Sequence, residues 1–166
     1  MRYIFVDPSG SFNEGKGHTG IAVIDDWDWN TLQIKSIDAK KFDTRLEYWR
    51  FIITTVHILC KNPINTRVII ESFVVRANGF TLGKMPETIM LIGALVYKLE
   101  NYNIKYTFQT PSQAKTRFKD EYLGRYIPKY ERRDNGFYYL DGKRINDHIR
   151  DALKHLLYYM KYGKEA

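Results

Sequence analysis

The segment Tyr3-Ile-Phe-Val-Asp7, with Pro8-Ser-Gly10 directly after it, predicts a short buried strand that ends in a turn. A polar, glycine-rich loop follows, and then a second apolar strand, Thr19-Gly-Ile-Ala-Val-Ile24. A third strand is predicted over residues 32–38, after a turn rich in Asp and Asn. Three consecutive strands of this kind predict an antiparallel meander.

Helix and strand signals alternate in the rest of the chain. Thr44-Arg-Leu-Glu47 has the form of a capping box and predicts a helix that ends at Asn62-Pro63. Arg67-Val-Ile-Ile-Glu71 predicts a compact buried strand. Further helices are predicted over residues 86–101, 111–123 and 147–162, a strand over 104–108, and a loop or small hairpin over 126–144. This order predicts one α/β domain over residues 1–166, in which parallel strands extend the meander into a mixed central sheet flanked by helices.

The composition excludes several classes of protein. A chain of 166 residues with 44% apolar and 27% charged residues suits one globular domain. Cys60 is the only cysteine, which excludes an internal disulfide framework and a cysteine-rich zinc module. The longest apolar run, residues 89–96, is too short to cross a bilayer, and we identify no signal peptide. We therefore expect a soluble, cytoplasmic protein with no membrane partner.

The charge is unevenly distributed along the chain. The formal net charge is +7 at pH 7. Residues 61–166 hold 19 basic and 11 acidic side chains, whereas residues 1–60 are close to neutral. A basic half with interleaved tyrosines favours a polyanionic partner, because Lys and Arg neutralise phosphates and release counterions. The alternative is a basic surface that serves only to keep the protein in solution.

Two carboxylates end predicted strands. Asp7 ends the first strand, and Glu71 ends the fourth. If these strands are neighbours, their carboxyl ends meet at one edge of the sheet, where α/β sheets hold their sites. Each residue alone has a simpler interpretation, Asp7 as a turn residue and Glu71 as an exposed strand-end acid. Glu71, however, directly follows a buried run, so its carboxylate needs a partner.

The last predicted helix carries polar side chains away from its apolar face. The apolar face consists of Ile149, Ala152, Leu153, Leu156 and Met160. Away from it lie Asp147, His148, Asp151 and His155. Asp147 and Asp151 are four residues apart and repel each other unless a cation lies between them. The helix dipole accounts well for an acid at Asp147 and less well for one at Asp151, whereas a divalent metal accounts for both.

A metal held only by carboxylates predicts a particular chemistry. Oxygen ligands suit Mg²⁺ or Mn²⁺. Two such ions, about 4 Å apart, can activate a water and stabilise the leaving oxygen in phosphodiester cleavage. The sequence contains no Walker loop and no dinucleotide-binding glycine motif. Metal-assisted hydrolysis is therefore the reaction that the sequence favours.

Four motifs, taken in order, resemble the RuvC family of Holliday junction resolvases and its short, phage-type members in particular. They are Phe5-Val-Asp7-Pro8-Ser-Gly10, Thr19-Gly20-Ile-Ala-Val-Ile24, Ile69-Ile-Glu71 and His148-Ile-Arg-Asp151-Ala152-Leu153. The resemblance covers nearly the whole chain and implies an RNase H-like fold. It also implies a homodimeric endonuclease that cuts four-way DNA junctions in recombination and repair with two Mg²⁺ or Mn²⁺ ions per active site. Because short divergent relatives occur in bacteriophages, we expect cleavage of other branched DNA as well.

The resemblance also implies which residues are catalytic metal ligands. They are Asp7, Glu71, His148 and Asp151. His148 matches the family's His/Asp-x-x-Asp-Ala-Leu pattern, so we expect Asp147 to cap the last helix instead. Asp147 could reach the same metal, and the opposite assignment therefore stays open.

DNA contacts are expected from residues on both sides of these motifs, namely Lys16, Phe73, Arg76, Lys115, Arg117 and Lys119. Lys16 lies in a loop that is several residues longer than the family's usual loop. Phe73 lies near the aromatic residue that family members use at the junction crossover, but closer to Glu71. A buried side chain at the end of a strand explains Phe73 equally well. For about half of the basic residues, the alternative is a solvent-exposed surface that only keeps the protein in solution.

The predicted helix over residues 86–101 is the expected homodimer interface. Its apolar residues exceed what one core-facing stripe requires, and they include Met85 just before it together with Met90, Leu91, Ile92 and Leu95. Burial of the same helix within the monomer is the alternative.

Three other functions compete with a junction-cleaving nuclease. A non-catalytic DNA-binding module would not require carboxylates at every expected position. An ATPase of the actin or sugar-kinase type also begins with a strand, an acid and a glycine-rich hairpin, but it needs a second phosphate-binding loop and a longer chain. A nuclease for RNA–DNA hybrids or flaps uses the same metal chemistry, so the sequence does not separate it from a resolvase.

Overall fold

The computed structural model describes residues 1–12, 17–72 and 87–163. Within these residues the strands are β1 (Arg2–Asp7), β2 (His18–Asp25), β3 (Asp28–Asp38), β4 (Thr66–Glu71), β5 (Lys105–Gln109), β6 (Tyr130–Arg132), β7 (Tyr138–Leu140) and β8 (Lys143–Ile145). The α-helices are α1 (Arg45–Leu59), α2 (Glu87–Asn101), α3 (Pro111–Lys115) and α4 (Asp147–Tyr162). None of these helices has the length and apolar character needed to cross a bilayer.

The main sheet has five strands in the order β3-β2-β1-β4-β5. Its central strand, β1, pairs antiparallel with β2 and parallel with β4, and β4 pairs parallel with β5. β2 turns into β3 at Asp26 and Trp27, whose φ angles of 48° and 60° fit a type I′ hairpin turn. The predicted mixed sheet, a meander extended by parallel strands and flanked by helices, is confirmed.

Helices cover both faces of this sheet because the central strands are apolar on both sides. On β1, Ile4 and Val6 pack in one core with α1 and α2. Tyr3 and Phe5 point the other way and pack in a second core with α4. Because side chains alternate along a strand, Asp7 follows Tyr3 and Phe5 onto the α4 face of the sheet.

In the first core, the start of α1 agrees with the sequence prediction, whereas the residues that α2 buries do not. Thr44 caps α1 through the predicted capping box, in which its hydroxyl accepts from the Glu47 amide at 3.2 Å. On α2, Leu91 and Leu95 are fully buried in the core of the monomer, so their assignment to a dimer interface was wrong. These residues face the sheet, whereas Met90 is exposed. Met85 lies outside the described residues.

The helix predicted over residues 111–123 is shorter than expected. α3 ends at Lys115, and a separate 3₁₀ segment covers Asp120–Arg125. Phe118 and Leu123 are both buried in the core against α4, and their spacing of five residues does not fit one face of a continuous helix. Tertiary packing therefore overrides the local helix signal here.

The segment predicted as a loop or small hairpin forms a second sheet of three strands, in the order β6-β7-β8. The expected turn at Asp141-Gly142 joins β7 to β8, and both residues have positive φ angles, 48° and 74°. Tyr130, Leu140 and Ile145 bury one face of this small sheet in the α4-side core. The small sheet is therefore held against the main domain and leads directly into α4.

Candidate active site

Asp7 and Glu71 lie side by side at one edge of the main sheet. β1 and β4 are parallel neighbours, and Val6 pairs with Ile70 directly before the two carboxylates. Both residues are buried and face α4. The expectation that these strand ends meet at one edge is confirmed.

α4 reaches this edge because β2 carries a glycine at the point of closest approach. Gly20 pairs with Asp7 in the sheet, and a Cβ atom added at Gly20 would lie 2.1 Å from the carbonyl oxygen of His148. Any larger residue would push the first turn of α4 away from the strand. With glycine there, His148 comes close enough for its Nδ1 to donate to Asp7 Oδ2 at 2.7 Å.

Asp151, one turn further along α4, completes a cluster of three carboxylates. One oxygen from each of Asp7, Glu71 and Asp151 can be chosen so that all three lie within 4.8 Å of one another. Carboxylate oxygens are the donors that Mg²⁺ and Mn²⁺ prefer, so the residues present fit such an ion. Three separate elements, β1, β4 and α4, supply one carboxylate each.

The surroundings of Asp7 leave its charge only partly compensated. Burial raises the pKa of Asp7 to about 6, the hydrogen bond from His148 opposes this rise, and the charge of Glu71 adds to it. Burial disfavours the charged form of His148, but the hydrogen bond to Asp7 and its charge outweigh that effect and raise the pKa of His148. The pKa values of both groups are therefore raised, that of Asp7 by burial and that of His148 by its hydrogen bond to Asp7.

Glu71 has a denser set of partners. Lys115 Nζ lies 2.9 Å from Glu71 Oε1, and His155 Nε2 donates to Glu71 Oε2 at 2.8 Å. Burial alone would raise the pKa of Glu71, but these two hydrogen bonds and charges lower it to about 2. Behind His155, its Nδ1 lies 2.8 Å from Oε1 of Gln109, which pairs with Glu71 across β4 and β5.

Asp151 is held between two lysines. Lys115 Nζ lies 2.7 Å from Asp151 Oδ2, and Lys154 Nζ lies 2.9 Å from Asp151 Oδ1. Lys154 also lies 2.6 Å from Asp120 Oδ1, which connects α4 to the 3₁₀ segment. Lys115 thus bridges two of the three clustered carboxylates and lowers the repulsion between them.

The start of α4 differs from the prediction. The N-cap is Asn146, whose Oδ1 accepts from the amide of Ile149 at 2.9 Å. The expectation that Asp147 caps the helix was wrong, because the chain leaves β8 in an extended conformation that ends one residue earlier than expected. Within the described ranges, the exposed Asp147 carboxylate accepts only a local bond, from the amide of His148 at 3.1 Å.

The residues predicted to contact DNA occupy three kinds of position. Lys16, Phe73 and Arg76 lie outside the described residues. Lys115 lies inside the carboxylate cluster, where its ammonium group binds protein carboxylates. Arg117 and Lys119 are exposed and follow α3 instead of belonging to it.

Sequence reasoning missed two residues of the site, His155 and Gln109, and gave a third, Lys115, a role in DNA contact only. His155 was grouped with Asp151 on one helix face, which is a usable signal, but it was given no role. Gln109 ends β5 as Glu71 ends β4, and this alignment of strand ends could have identified it. Lys115 has no local signal, because only the tertiary fold brings α3 to the sheet edge.

Comparisons with known proteins bear on the fold. No protein-family model matches the sequence, and no curated protein matches it. Among solved structures, Thermus thermophilus RuvC in complex with a Holliday junction substrate has 17% sequence identity and a TM-score of 0.66, over 98% of this chain and 94% of that chain. A second Thermus thermophilus RuvC structure has 15% identity and a TM-score of 0.62, over 98% of this chain and 97% of that chain. The chain therefore has the RuvC-type, RNase H-like fold, which confirms the resemblance at the level of the fold.

Proposed function

We propose that this protein is a metal-dependent endonuclease that cuts Holliday junctions and other branched DNA. The observation that carries the proposal is the meeting of Asp7, Glu71 and Asp151 at one sheet edge in a RuvC-type fold. In this proposal residues 1–166 act as one nuclease domain, in recombination or repair in the cytoplasm of the cell, or of the host if a bacteriophage encodes the chain.

Asp7, Glu71, Asp151 and His148 would hold two Mg²⁺ or Mn²⁺ ions. When bound, such ions supply an activated water and a positive charge for the leaving oxygen of the phosphodiester. The hydrogen bond from His148 to Asp7 supports this role for His148, and the ion pairs of Asp151 with Lys115 and Lys154 support it for Asp151. Lys115 keeps the clustered carboxylates from repelling one another, and it adds positive charge where a phosphate would approach them.

Binding of DNA is supported by charge. The net charge of +7 attracts a polyanion, and Arg117 and Lys119 are exposed beyond α3. Lys16, Phe73 and Arg76 remain proposed contacts, with Phe73 at the crossover of the junction. Phosphate contacts fix a protein on DNA without reading sequence, which suits recognition of a branch by its shape.

A homodimer is part of the proposal, because a symmetric junction needs two active sites. α2 carries an exposed stripe at helical spacing, formed by Met90, Gly93, Ala94 and Tyr97. Tyr97 is 69% exposed, and a Cβ added at Gly93 would meet nothing within 4 Å. We place the dimer contact on this stripe. Sedimentation at micromolar concentration with junction DNA tests it, and a monomer under those conditions would exclude it.

The proposed activity is tested by offering several labelled substrates side by side. Four-way junctions, flaps, RNA–DNA hybrids and linear duplexes are incubated with Mg²⁺, with Mn²⁺ and with EDTA. We expect metal-dependent cleavage of four-way junctions, weaker cleavage of flaps and no cleavage of linear duplex. Preferential cleavage of hybrids would instead make the protein an RNase H-like nuclease, and binding without cleavage would make it a non-catalytic module.

A further inference from the structure

A groove runs along the α4 face of the main sheet beside the acidic site. Its volume is about 800 Å³. Ile34 and Ser36 of the edge strand β3 line it on one side, and β8 with the start of α4 lines it on the other. Asn146 ties the two sides together, since its Nδ2 donates to Ser36 Oγ at 2.8 Å. The groove is therefore bounded by two connected pieces of regular secondary structure.

One end of the groove opens at the acidic site. His18 lines this end, and its ring centre is 5.9 Å from that of His148, which donates to Asp7. The two acids that line the groove, Asp38 and Asp147, also belong to this end, because Asp38 pairs with His18 in the sheet and Asp147 precedes His148. A chain lying in the groove would thus pass beside the carboxylate cluster.

The remaining charged side chains of the groove are cationic. Lys41, Lys143 and Arg144 line it and are exposed. Across the part of the chain that the structure describes, none of these three forms an ion pair with a carboxylate. By contrast, Arg150 of the same groove and Arg133 just outside it are both held by carboxylates. The three unpaired cations remain available to an anionic partner.

Arg144 is held in place for such a contact. Its guanidinium carbon lies 3.5 Å from the ring centre of Phe137, which also lines the groove and is 44% exposed. Stacking on an aromatic face fixes the guanidinium plane and leaves its N–H groups free at the edge. A side chain ordered before binding loses less conformational freedom when a ligand arrives.

We propose that this groove binds the sugar–phosphate backbone of the DNA strand that leaves the active site on the His148 side. Arg144, stacked on Phe137, is the principal phosphate anchor, and Lys41 and Lys143 flank it. The proposal rests on the proposed function, since the strand belongs to the DNA that the carboxylate cluster would cut. It assigns the small sheet of β6, β7 and β8 the role of a substrate-positioning wall.

The first test measures the salt dependence of junction binding, in EDTA so that no cleavage occurs. Arg144→Ala should weaken binding about tenfold and reduce the slope of log K against log salt by about 1, as expected for one lost phosphate contact. Phe137→Leu, which keeps the charge and removes the stacking, should weaken binding by a smaller factor. Arg50→Ala is the matched control, because Arg50 is exposed on α1, on the opposite face of the sheet.

The second test is a disulfide cross-link to DNA that carries a thiol tether near the cleaved bond. Lys143→Cys supplies a reactive thiol in the groove, and Arg50→Cys supplies the control. Cys60 does not interfere, because it is buried and burial raises its pKa to about 12. We expect cross-linking at residue 143, from tethers on one side of the cleaved bond, and none at residue 50.

The two proposals fail in different ways. If wild-type protein binds no branched DNA, the proposed function fails and the groove proposal fails with it. If wild-type protein binds branched DNA, but Arg144→Ala keeps the wild-type salt slope or Lys143→Cys cross-links no better than the control, the groove proposal alone is overturned.

Discussion

Asp7 and Glu71 occupy equivalent places in the sheet and have opposite electrostatic surroundings. Each ends one of two neighbouring parallel strands, faces α4 and is buried, with 5% and 9% of its surface exposed. Burial raises the pKa of Asp7 to about 6, whereas the pKa of Glu71 falls to about 2. Burial opposes ionisation at both positions, so the partners make the difference.

The partners differ in number. Among the side chains that the structure describes, only His148 forms a hydrogen bond with Asp7, which also faces the charge of Glu71. Glu71 receives bonds from Lys115 and His155. With its pKa lowered to about 2, Glu71 is ionised at ordinary pH, whereas the raised pKa of Asp7, about 6, brings its change of protonation closer to neutrality. Metal binding should therefore depend on pH through Asp7 and its partner His148, and not through Glu71.

Removing a clustered carboxylate has the largest expected effect. Asp7→Asn, Glu71→Gln and Asp151→Asn should each lower the cleavage rate by about a thousandfold or more, since a metal ion stabilises the transition state by several kcal/mol. Junction binding in EDTA should be retained or tightened, because repulsion between carboxylate and phosphate falls. Asp43→Asn, at an exposed position, is the control. Near-wild-type cleavage by any one of the three would remove that residue from the site.

Neutralising Asp7 and neutralising Glu71 should change the stability of the metal-free protein in opposite directions at pH 8. Asp7→Asn should raise the free energy of unfolding by about 1–2 kcal/mol, because it removes a poorly compensated buried charge. Glu71→Gln should lower it by about 3 kcal/mol, because Lys115 and His155 lose their anionic partner. Urea denaturation of both variants measures the changes, and equal signs would contradict the comparison.

Asp7 and Glu71 should also make the stability of the protein depend on pH in opposite directions. The pKa of Asp7 is raised from 3.8 to about 6, so the folded state binds more protons there and stability falls as pH rises through this range. The pKa of Glu71 is lowered from 4.5 to about 2, so its stabilising contribution is complete above 4.5 and is lost as pH falls toward 2. In Asp7→Asn the first dependence should disappear and the second should remain.

A smaller effect on metal binding and cleavage is expected at His155, which donates a hydrogen bond to Glu71. His155→Ala should weaken Mn²⁺ binding and cleavage by about 10- to 100-fold, as is typical when a group that orients a metal ligand is lost. His155→Gln, which keeps a hydrogen-bond donor, should recover part of both. Calorimetric titration with Mn²⁺ measures the binding, with His57→Ala on α1 as the control. If His155→Ala binds Mn²⁺ as tightly as that control, Glu71 does not depend on His155 for its orientation.

The smallest effect, on stability alone, is expected at the start of α4, where His148 bonds to Asp7. Asn146→Ala should lower stability by about 1 kcal/mol, the usual loss for an N-cap. Asp147→Ala should cost less than half of that, since its carboxylate accepts only a local bond. Thermal denaturation measures the loss of stability in both variants. A larger loss in Asp147→Ala than in Asn146→Ala would identify Asp147 as the N-cap.

The sequence predicted the parts of this site that depend on local pattern. Apolar runs that end in Asp7 and Glu71 define strands whose carboxyl ends carry acids, and helical spacing places Asp151 away from the apolar face of α4. Parallel pairing of β1 with β4 then brings the first two acids together. Strand order and helix periodicity were sufficient for the carboxylate cluster.

The parts that the sequence did not predict depend on tertiary contacts. Lys115 and His155 approach Glu71 across 44 and 84 positions of the chain, and no local pattern encodes such distances. Asn146 and Asp147 are both good helix caps, and the path of the chain out of β8 selects the first. The helix after Pro111 stops early because Phe118 and Leu123 are drawn into the core beside α4.

The most direct test of the account is the pH dependence of Mn²⁺ binding to the wild-type chain, followed by electron paramagnetic resonance between pH 5 and pH 8. We expect weak binding at pH 5 and a rise through about pH 6 as the hydrogen-bonded pair of Asp7 and His148 loses its proton, while Glu71 stays ionised throughout. Asp7→Asn should bind Mn²⁺ weakly at every pH. An affinity that stays constant from pH 5 to pH 8, or wild-type binding by Asp7→Asn, would contradict the account.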